Sequence, residues 1–275
     1  MNSRLKKIGR YTVLVGFLLL IILPFYWMVV TSFKPSSELG MYPPSLIPDN
    51  WVLDNYRAAL VESDFLTYMK NSLIVSLSST AFVLVFGSMA GFAIAKLPIV
   101  GRFPILVGLL ILSMFPPITV APALYIMLND LGLLNSYTGL VVPYIAFNLP
   151  FAIWLLRNYF IQIPTVLLEA AQIDGASTFY TFVRIFLPLV KPGLFTAGIF
   201  TYVATWTEFF LSLIINSSNA MRTIPVGIAL FNGPYSIPYG TIFAGSIVAM
   251  IPILILTVIF RKSIVSGLTG GAVKG

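Results

Sequence analysis

The chain has no cysteine and no histidine in its 275 residues, and only 9% of those residues are charged. Without the first two types there is no disulfide framework, no thiol nucleophile, no His or Cys metal site and no imidazole general base. The missing cysteines carry no information about redox compartment, because nothing is there to oxidise. Soluble domains carry about a quarter charged residues, so the charge deficit excludes that class as well. What fills the space is apolar: 58% hydrophobic residues and a mean hydropathy of +0.96. The composition describes an integral membrane protein whose work is physical rather than bond-making, or is driven by partners.

The 25 charges that do occur are segregated, since residues 11–33, 71–95, 104–129, 131–156 and 223–260 contain none. A membrane helix needs roughly 20 apolar residues, at about 1.5 Å of rise each, to cross a core of about 30 Å. With turn residues cutting the longer runs, the sequence predicts a single all-α bundle of six spans, about 11–33, 71–95, 104–128, 138–158, 193–215 and 241–260. The first is too long for a signal peptide and is followed by Ser32-Phe33-Lys34-Pro35 rather than a small-residue cleavage site. Twelve of the sixteen basic residues lie on one side: Arg4, Lys6, Lys7, Arg10, Lys96, Arg102, Arg157, Arg184, Lys191, Arg261, Lys262 and Lys274. The other four, Lys34, Arg57, Lys70 and Arg222, lie opposite. That bias predicts both termini in the cytoplasm, and it accounts for the net +7 without any nucleic acid.

Prolines punctuate the spans at Pro24, Pro116-Pro117, Pro122, Pro143, Pro150 and Pro252. Each bends a helix and frees a carbonyl, which neighbouring helices or a wet cavity must satisfy. Singly they read as ordinary bundle packing; their density in spans three and four favours those helices lining a path. The outer segment 34–70 holds five of the nine acids and reads as a proline-rich approach to a surface helix over Asn55–Lys70. It is either a partner-docking face or a plain connector.

Residues 161–193, between spans four and five, carry clear helix punctuation. Pro164 and Thr165 suit a helix start, with Glu169 in the early turns where the helix dipole favours an anion. Gly175 can take a left-handed stop, Ser177 can cap a second short helix, and Arg184 falls in its last turn before Pro188. Phe179, Phe182, Val183 and Phe186 share one apolar face at three-to-four spacing. The prediction is helix, glycine turn, helix, lying on the cytoplasmic side. Its small residues and two carboxylates suit close approach by another protein, although a hairpin packed on its own bundle would look similar.

Glu169-Ala170-Ala171, Asp174-Gly175-Ala176, Phe182, Ile185, Leu187-Pro188-Leu189 and Pro192 resemble the EAA loop of binding-protein-dependent ABC importer permeases. The tail Ile264–Gly275 is similar to that of the second permease subunit of maltose-type carbohydrate importers. Phe33-Lys34-Pro35, Asn55-Tyr56, Asn71-Ser72-Leu73 and Met114-Phe115-Pro116 also resemble that group's pattern, so the likeness spans nearly the whole chain. One departure is Trp206-Thr207-Glu208, where the family often has Trp-Asn-Glu.

The resemblance implies the type I importer permease fold in the inner membrane. It implies a second homologous permease, two ATP-binding subunits carrying ATP and Mg, and an external solute-binding protein as partners. Glu169, Ala170, Ala171, Asp174, Gly175 and Ala176 would form the coupling helix in a cleft of the ATP-binding subunit. The tail, with Gly270 and Lys274, would run toward those subunits. Asn232, Gly233, Pro234 and Tyr235, in the outer loop before span six, would reach into the binding protein. No cofactor is expected in this chain: it has no Gly-x-x-x-x-Gly-Lys-Ser/Thr phosphate loop, so the ATP chemistry belongs to partner chains.

Glu208 is the one acid or base in a span core. Hydrocarbon burial of a charge costs about 2.5–3.5 kcal/mol on insertion scales, so Glu208 should face protein or water, in a structural or gating role. Tyr144, Asn148, Tyr202 and Trp206 offer the aromatic faces and amide that sugar recognition uses, or else they are packing residues. No Lys or Arg lies in a span core, which weighs against a strongly anionic solute unless the partner permease supplies the positive charge. A stand-alone secondary transporter would want ion-coupling groups in the spans and internal repeats, and a membrane enzyme would want a catalytic constellation. Neither is evident. The expected cargo is a disaccharide, a longer oligosaccharide, a glycosylated osmolyte or a glycerophosphate ester.

Overall fold

A computed structural model of the chain describes residues 2–231 and 237–269, and among these every regular element is helical. In chain order they are α1 (Asn2–Ser32), α2 (Asp54–Leu60), α3 (Phe65–Lys96), α4 (Arg102–Ser113), α5 (Pro117–Asp130), α6 (Tyr137–Gln162) and α7 (Val166–Ile173). There follow α8 (Thr178–Thr181), α9 (Leu187–Leu189), α10 (Lys191–Trp206), α11 (Phe210–Ile215), α12 (Ile224–Ala229) and α13 (Tyr239–Thr269). Among the described residues four helices are long and apolar enough to cross a membrane, and the number rises to six if two bent pairs each count as one span. The chain divides into two compact units, Met1–Leu66 with Gly227–Ile251, and Thr67–Val226 with Pro252–Gly275.

Two expected spans are interrupted, and one expected surface helix is cut short. The third is two helices, α4 and α5, meeting at 89° across Met114-Phe115-Pro116. Pro116 is extended and Pro117 opens α5, because a proline fits the first helical turn and cannot continue the preceding one. The fifth stops at Trp206 and resumes as the short α11 at Phe210, and its start forms an 80° bend with the helical run Thr178–Leu189. The surface helix expected over Asn55–Lys70 ends at Leu60, and Phe65–Lys70 belong to α3 instead. Ser63 makes that break: its Oγ donates to the Ala59 carbonyl and accepts from the Phe65 N–H.

In the first unit, the residues after α1 are tied by polar and aromatic contacts rather than by a sheet. Asn55 is buried and its amide donates to the Ser32 carbonyl (3.0 Å) and the Lys34 carbonyl (2.8 Å), closing the last turn of α1. Phe33 packs against the Trp51 and Tyr56 rings, and the Tyr56 hydroxyl meets Ser32 Oγ at 2.9 Å. Glu38 accepts from the Asp49 and Asn50 N–H groups, pinning the far side of the proline-rich loop. Glu38 therefore orders backbone here, which a flexible connector would not need.

In the second unit, α4 and α10 pack on α6, and α11 packs on α5 and α6. Gly91 permits the approach of α3 to α6: a Cβ there would lie 3.0 Å from the Arg157 nitrogen and 3.3 Å from the Ile153 carbonyl. One core joins α3, α5, α6 and α11 through Val75, Leu128, Leu140, Tyr144, Leu211 and Ile215. The connector ahead of α12 is held by side-chain amides. Asn71 donates to the Ala220 and Arg222 carbonyls, both at 2.9 Å, and accepts from the Tyr137 hydroxyl at 2.8 Å. Ser72 Oγ accepts from the Ile224 N–H at 2.8 Å, and Asn216 donates to the Met221 carbonyl at 3.1 Å.

Replacing Asn71 by Ala leaves two carbonyls without their donor, and each unmade bond in a buried site costs about 1–3 kcal/mol. N71A should therefore lower the unfolding midpoint in detergent and expose 216–223 to protease. N71D, which keeps the acceptor for Tyr137 but turns an oxygen toward two carbonyls, should be at least as damaging. Wild-type protease resistance in both variants would contradict this role.

Candidate functional site

Two features stand out, a helical hairpin between α6 and α10 and an acidic break between α10 and α11. The hairpin is α7, a turn at Gly175, and α8, which leads through a wider π turn at Phe182–Phe186 into α9. Gly175 takes φ +77°, a left-handed conformation that residues with a Cβ adopt at a cost. The Ala176 N–H reaches back to the Ala171 carbonyl and the Gly175 N–H to the Gln172 carbonyl, so the end of α7 is closed. Ser177 Oγ accepts from the Tyr180 N–H and starts the next helix. Thr165 precedes α7 without a side-chain cap bond.

The hairpin is fastened to the spans by aromatic packing. Phe92 of α3 lies 5.1 Å from Phe182 and Phe186 and 5.6 Å from Phe160 of α6, by ring centroids. Leu168 of α7, Leu156 and Val190 complete this buried cluster. Phe179 continues this face toward the surface: its ring lies 6.4 Å from that of Phe182 by centroids, and it is 66% exposed. After Phe182 the helix widens, and the Leu187 N–H bonds the Phe182 carbonyl five residues back. A proline at 188 has no N–H and crowds the carbonyl four residues before it, so the helix widens one turn earlier.

On the outer surface of the hairpin Glu169, Ala170, Asp174 and Gly175 are exposed, Ala176 is half-buried, and Ala171 is buried. Val166, Ile173 and Tyr180 are exposed beside them. The combination is two carboxylates set among small and apolar groups on a short rigid helix, a surface suited to burial against another protein.

At the break after α10, the half-buried Glu208 carboxylate accepts three hydrogen bonds. The Tyr144 hydroxyl donates at 2.5 Å, the Leu211 N–H at 2.8 Å and the Ser212 N–H at 3.1 Å. The acid thus satisfies the open first turn of α11 and ties it to α6. Asn148 donates to the Tyr144 carbonyl on its own helix at 2.7 Å. Tyr202 and Trp206 are buried, with their rings stacked at 5.5 Å. Tyr144, Asn148 and Glu208 are therefore joined, whereas Tyr202 lines a separate apolar groove with Leu84, Phe195 and Phe260. Gly270 and Lys274 of the tail, and Asn232, Gly233, Pro234 and Tyr235 of the outer loop, lie outside the described residues.

The family model of the binding-protein-dependent transport system inner membrane component matches residues 83–269. The chain belongs to that family. The hairpin, the Phe92 cluster and the Glu208 break all fall inside the matched stretch. Among relatives, the trehalose/maltose transport system permease protein of Thermococcus litoralis is 38% identical over 278 residues, covering 99% of both chains. The sulfoquinovosyl glycerol transport system permease protein of Agrobacterium fabrum is 38% identical, over 92% of this chain and 88% of that one. The fold is also that of a chain in the crystal structure of a bacterial ABC transporter that imports the acidic polysaccharide alginate, at TM-score 0.80 and 22% identity, covering 94% of this chain and 96% of that one. The protein is thus an inner-membrane, multi-pass ABC importer permease.

The spacing of Glu169, Gly175 and Ser177 pointed to the hairpin, while the Glu208–Tyr144 bond had no local signal because 64 residues separate the partners. Glu208→Gln keeps one acceptor and turns an amide toward a donor, at a cost of about 1–3 kcal/mol. Tyr144→Phe removes one bond, worth about 1 kcal/mol. E208Q should accordingly destabilise more than Y144F in thermal unfolding of the purified chain, and the reverse order would reject the capping role.

Proposed function

We propose that this permease moves a neutral sugar or glycoside, a di- or oligosaccharide in size, as half of a two-permease pathway. An external binding protein delivers the solute and two ATP-binding subunits drive alternating access, with the Glu169–Ala176 hairpin docked in a cleft of one of them. Both termini and the hairpin then lie in the cytoplasm, as the basic-residue bias requires. The observation that carries the reading is the hairpin itself: an exposed acidic and apolar knob, held rigidly on α3 and α6 by Phe92, Phe160 and Leu168. A push on α7 is transmitted to two spans without passing through a flexible segment.

The transport of trehalose or maltose and of sulfoquinovosyl glycerol by the two relatives supports a glycosidic cargo. Span cores without Lys or Arg support a neutral one. The Glu208–Tyr144 pair serves as a fixed joint at the break in the pathway helix, and the stacked Tyr202 and Trp206 lie in the last turns of α10 that lead to it. The C-terminal Gly270–Lys274 stretch contributes contacts to the ATP-binding subunits, and Asn232–Tyr235 reaches the binding protein.

The transporter purified with its co-purifying subunits and reconstituted in vesicles tests the reading. Labelled disaccharide uptake should require both ATP and the binding protein. Reversing the charge at Glu169 (E169K) should cut uptake by about tenfold or more, because like charges set together across an interface cost several kcal/mol, while leaving the chain folded in the membrane. Uptake without ATP, or undiminished after deletion of Glu169–Gly175, would overturn it.

A further inference from the structure

Outside the hairpin and the Glu208 joint, the second unit contains a cavity of about 410 Å³ where α3 ends, α4 begins and α6 ends. Lys96, Arg102 and Arg157 all line it, and no acid does. Among the described residues none of the three forms an ion pair. Lys96 donates to the Ile163 carbonyl and sits 5.8 Å from the Phe186 ring centroid. Arg157 reaches the Asn158 side chain through one terminal nitrogen, and its buried Nε has no acceptor. Three cations on one cavity without an acid, one of them with an orphaned buried donor, are unfavourable unless an anion completes the site.

The surroundings restrict what that anion is. Phe103 is 75% exposed and Ile161 44% exposed at the rim, so the cationic floor opens between apolar side chains. A free anion gains nothing from such a rim, whereas a lipid presents a phosphate and acyl chains together. Basic pockets between spans at the cytoplasmic side suit lipid headgroups in this way. The geometry points to a binding site for the phosphate of an anionic phospholipid, held by Lys96, Arg102 and Arg157.

The site adjoins the hairpin. Thr165, which precedes α7, lines the cavity, and Lys96 holds the carbonyl of Ile163 two residues earlier. A bound headgroup would thus brace the root of α7 against α3 and α6. This goes beyond the transport reading and depends on it only for which leaflet supplies the lipid.

The transporter purified with its co-purifying subunits is delipidated and titrated with phosphatidylglycerol, phosphatidylcholine or inorganic phosphate. Retention is read by native mass spectrometry and stability by thermal unfolding. Phosphatidylglycerol should bind and raise the unfolding midpoint, and phosphatidylcholine should bind far more weakly. Each basic residue removed near a headgroup weakens binding about five-fold, so K96Q/R102Q/R157Q should lose about a hundred-fold. R102Q alone, at an exposed helix start, should lose about five-fold if the triple variant fails to fold. K7Q/R10Q/K191Q removes the same charge from exposed residues outside the cavity and should bind as wild type. The inference fails if that control weakens binding equally, or if phosphatidylcholine or inorganic phosphate stabilises as well as phosphatidylglycerol. It fails too if the assembled transporter retains no anionic lipid because a protein partner fills the cavity.

Discussion

In an apolar slab, a helix that stops must find protein partners for the backbone groups it leaves open, because no water is there to take them. This permease interrupts its spans and meets that constraint with single side chains. Glu208 serves two N–H groups of α11, Asn71 serves two carbonyls of the connector before α12, and Asn55 serves two carbonyls at the end of α1. Each cap also reaches another element. The breaks that would otherwise weaken the bundle therefore become its joints, and a chain with few charges places one of its nine acids at such a joint.

The same economy shapes the hairpin. Its position does not depend on ion pairs, since Glu169 and Asp174 face outward. It depends on the aromatic cluster around Phe92, which joins the hairpin to the long helices α3 and α6. Aromatic packing is dense and short-ranged, so displacement of α7 cannot be absorbed within the cluster. The outward carboxylates remain available for a partner. Within α7, Leu168 and Ala171 are buried, while Glu169 and Ala170 are exposed.

Much of this was legible in advance. The charge-free runs located the long helices, because a membrane span is set by length and hydropathy alone. Glu169, Gly175 and Ser177 marked the hairpin, because caps and left-handed stops are local in sequence. The surface helix over Asn55–Lys70 is not legible as two elements, since periodicity continues through Ser63 although its hydroxyl ends the run.

By itself the sequence determined the solvent this chain lives in, its helical class and the hairpin that marks its family. Each of those is written in runs of a few to some thirty neighbouring residues. Tertiary structure alone decided what Glu208 does, how Asn71 locks a loop some 150 residues away, and that Lys96, Arg102 and Arg157 share one cavity. Those outcomes depend on which distant helices are brought together, and a hydrogen bond or a cluster of like charges between them leaves no periodic trace along the chain.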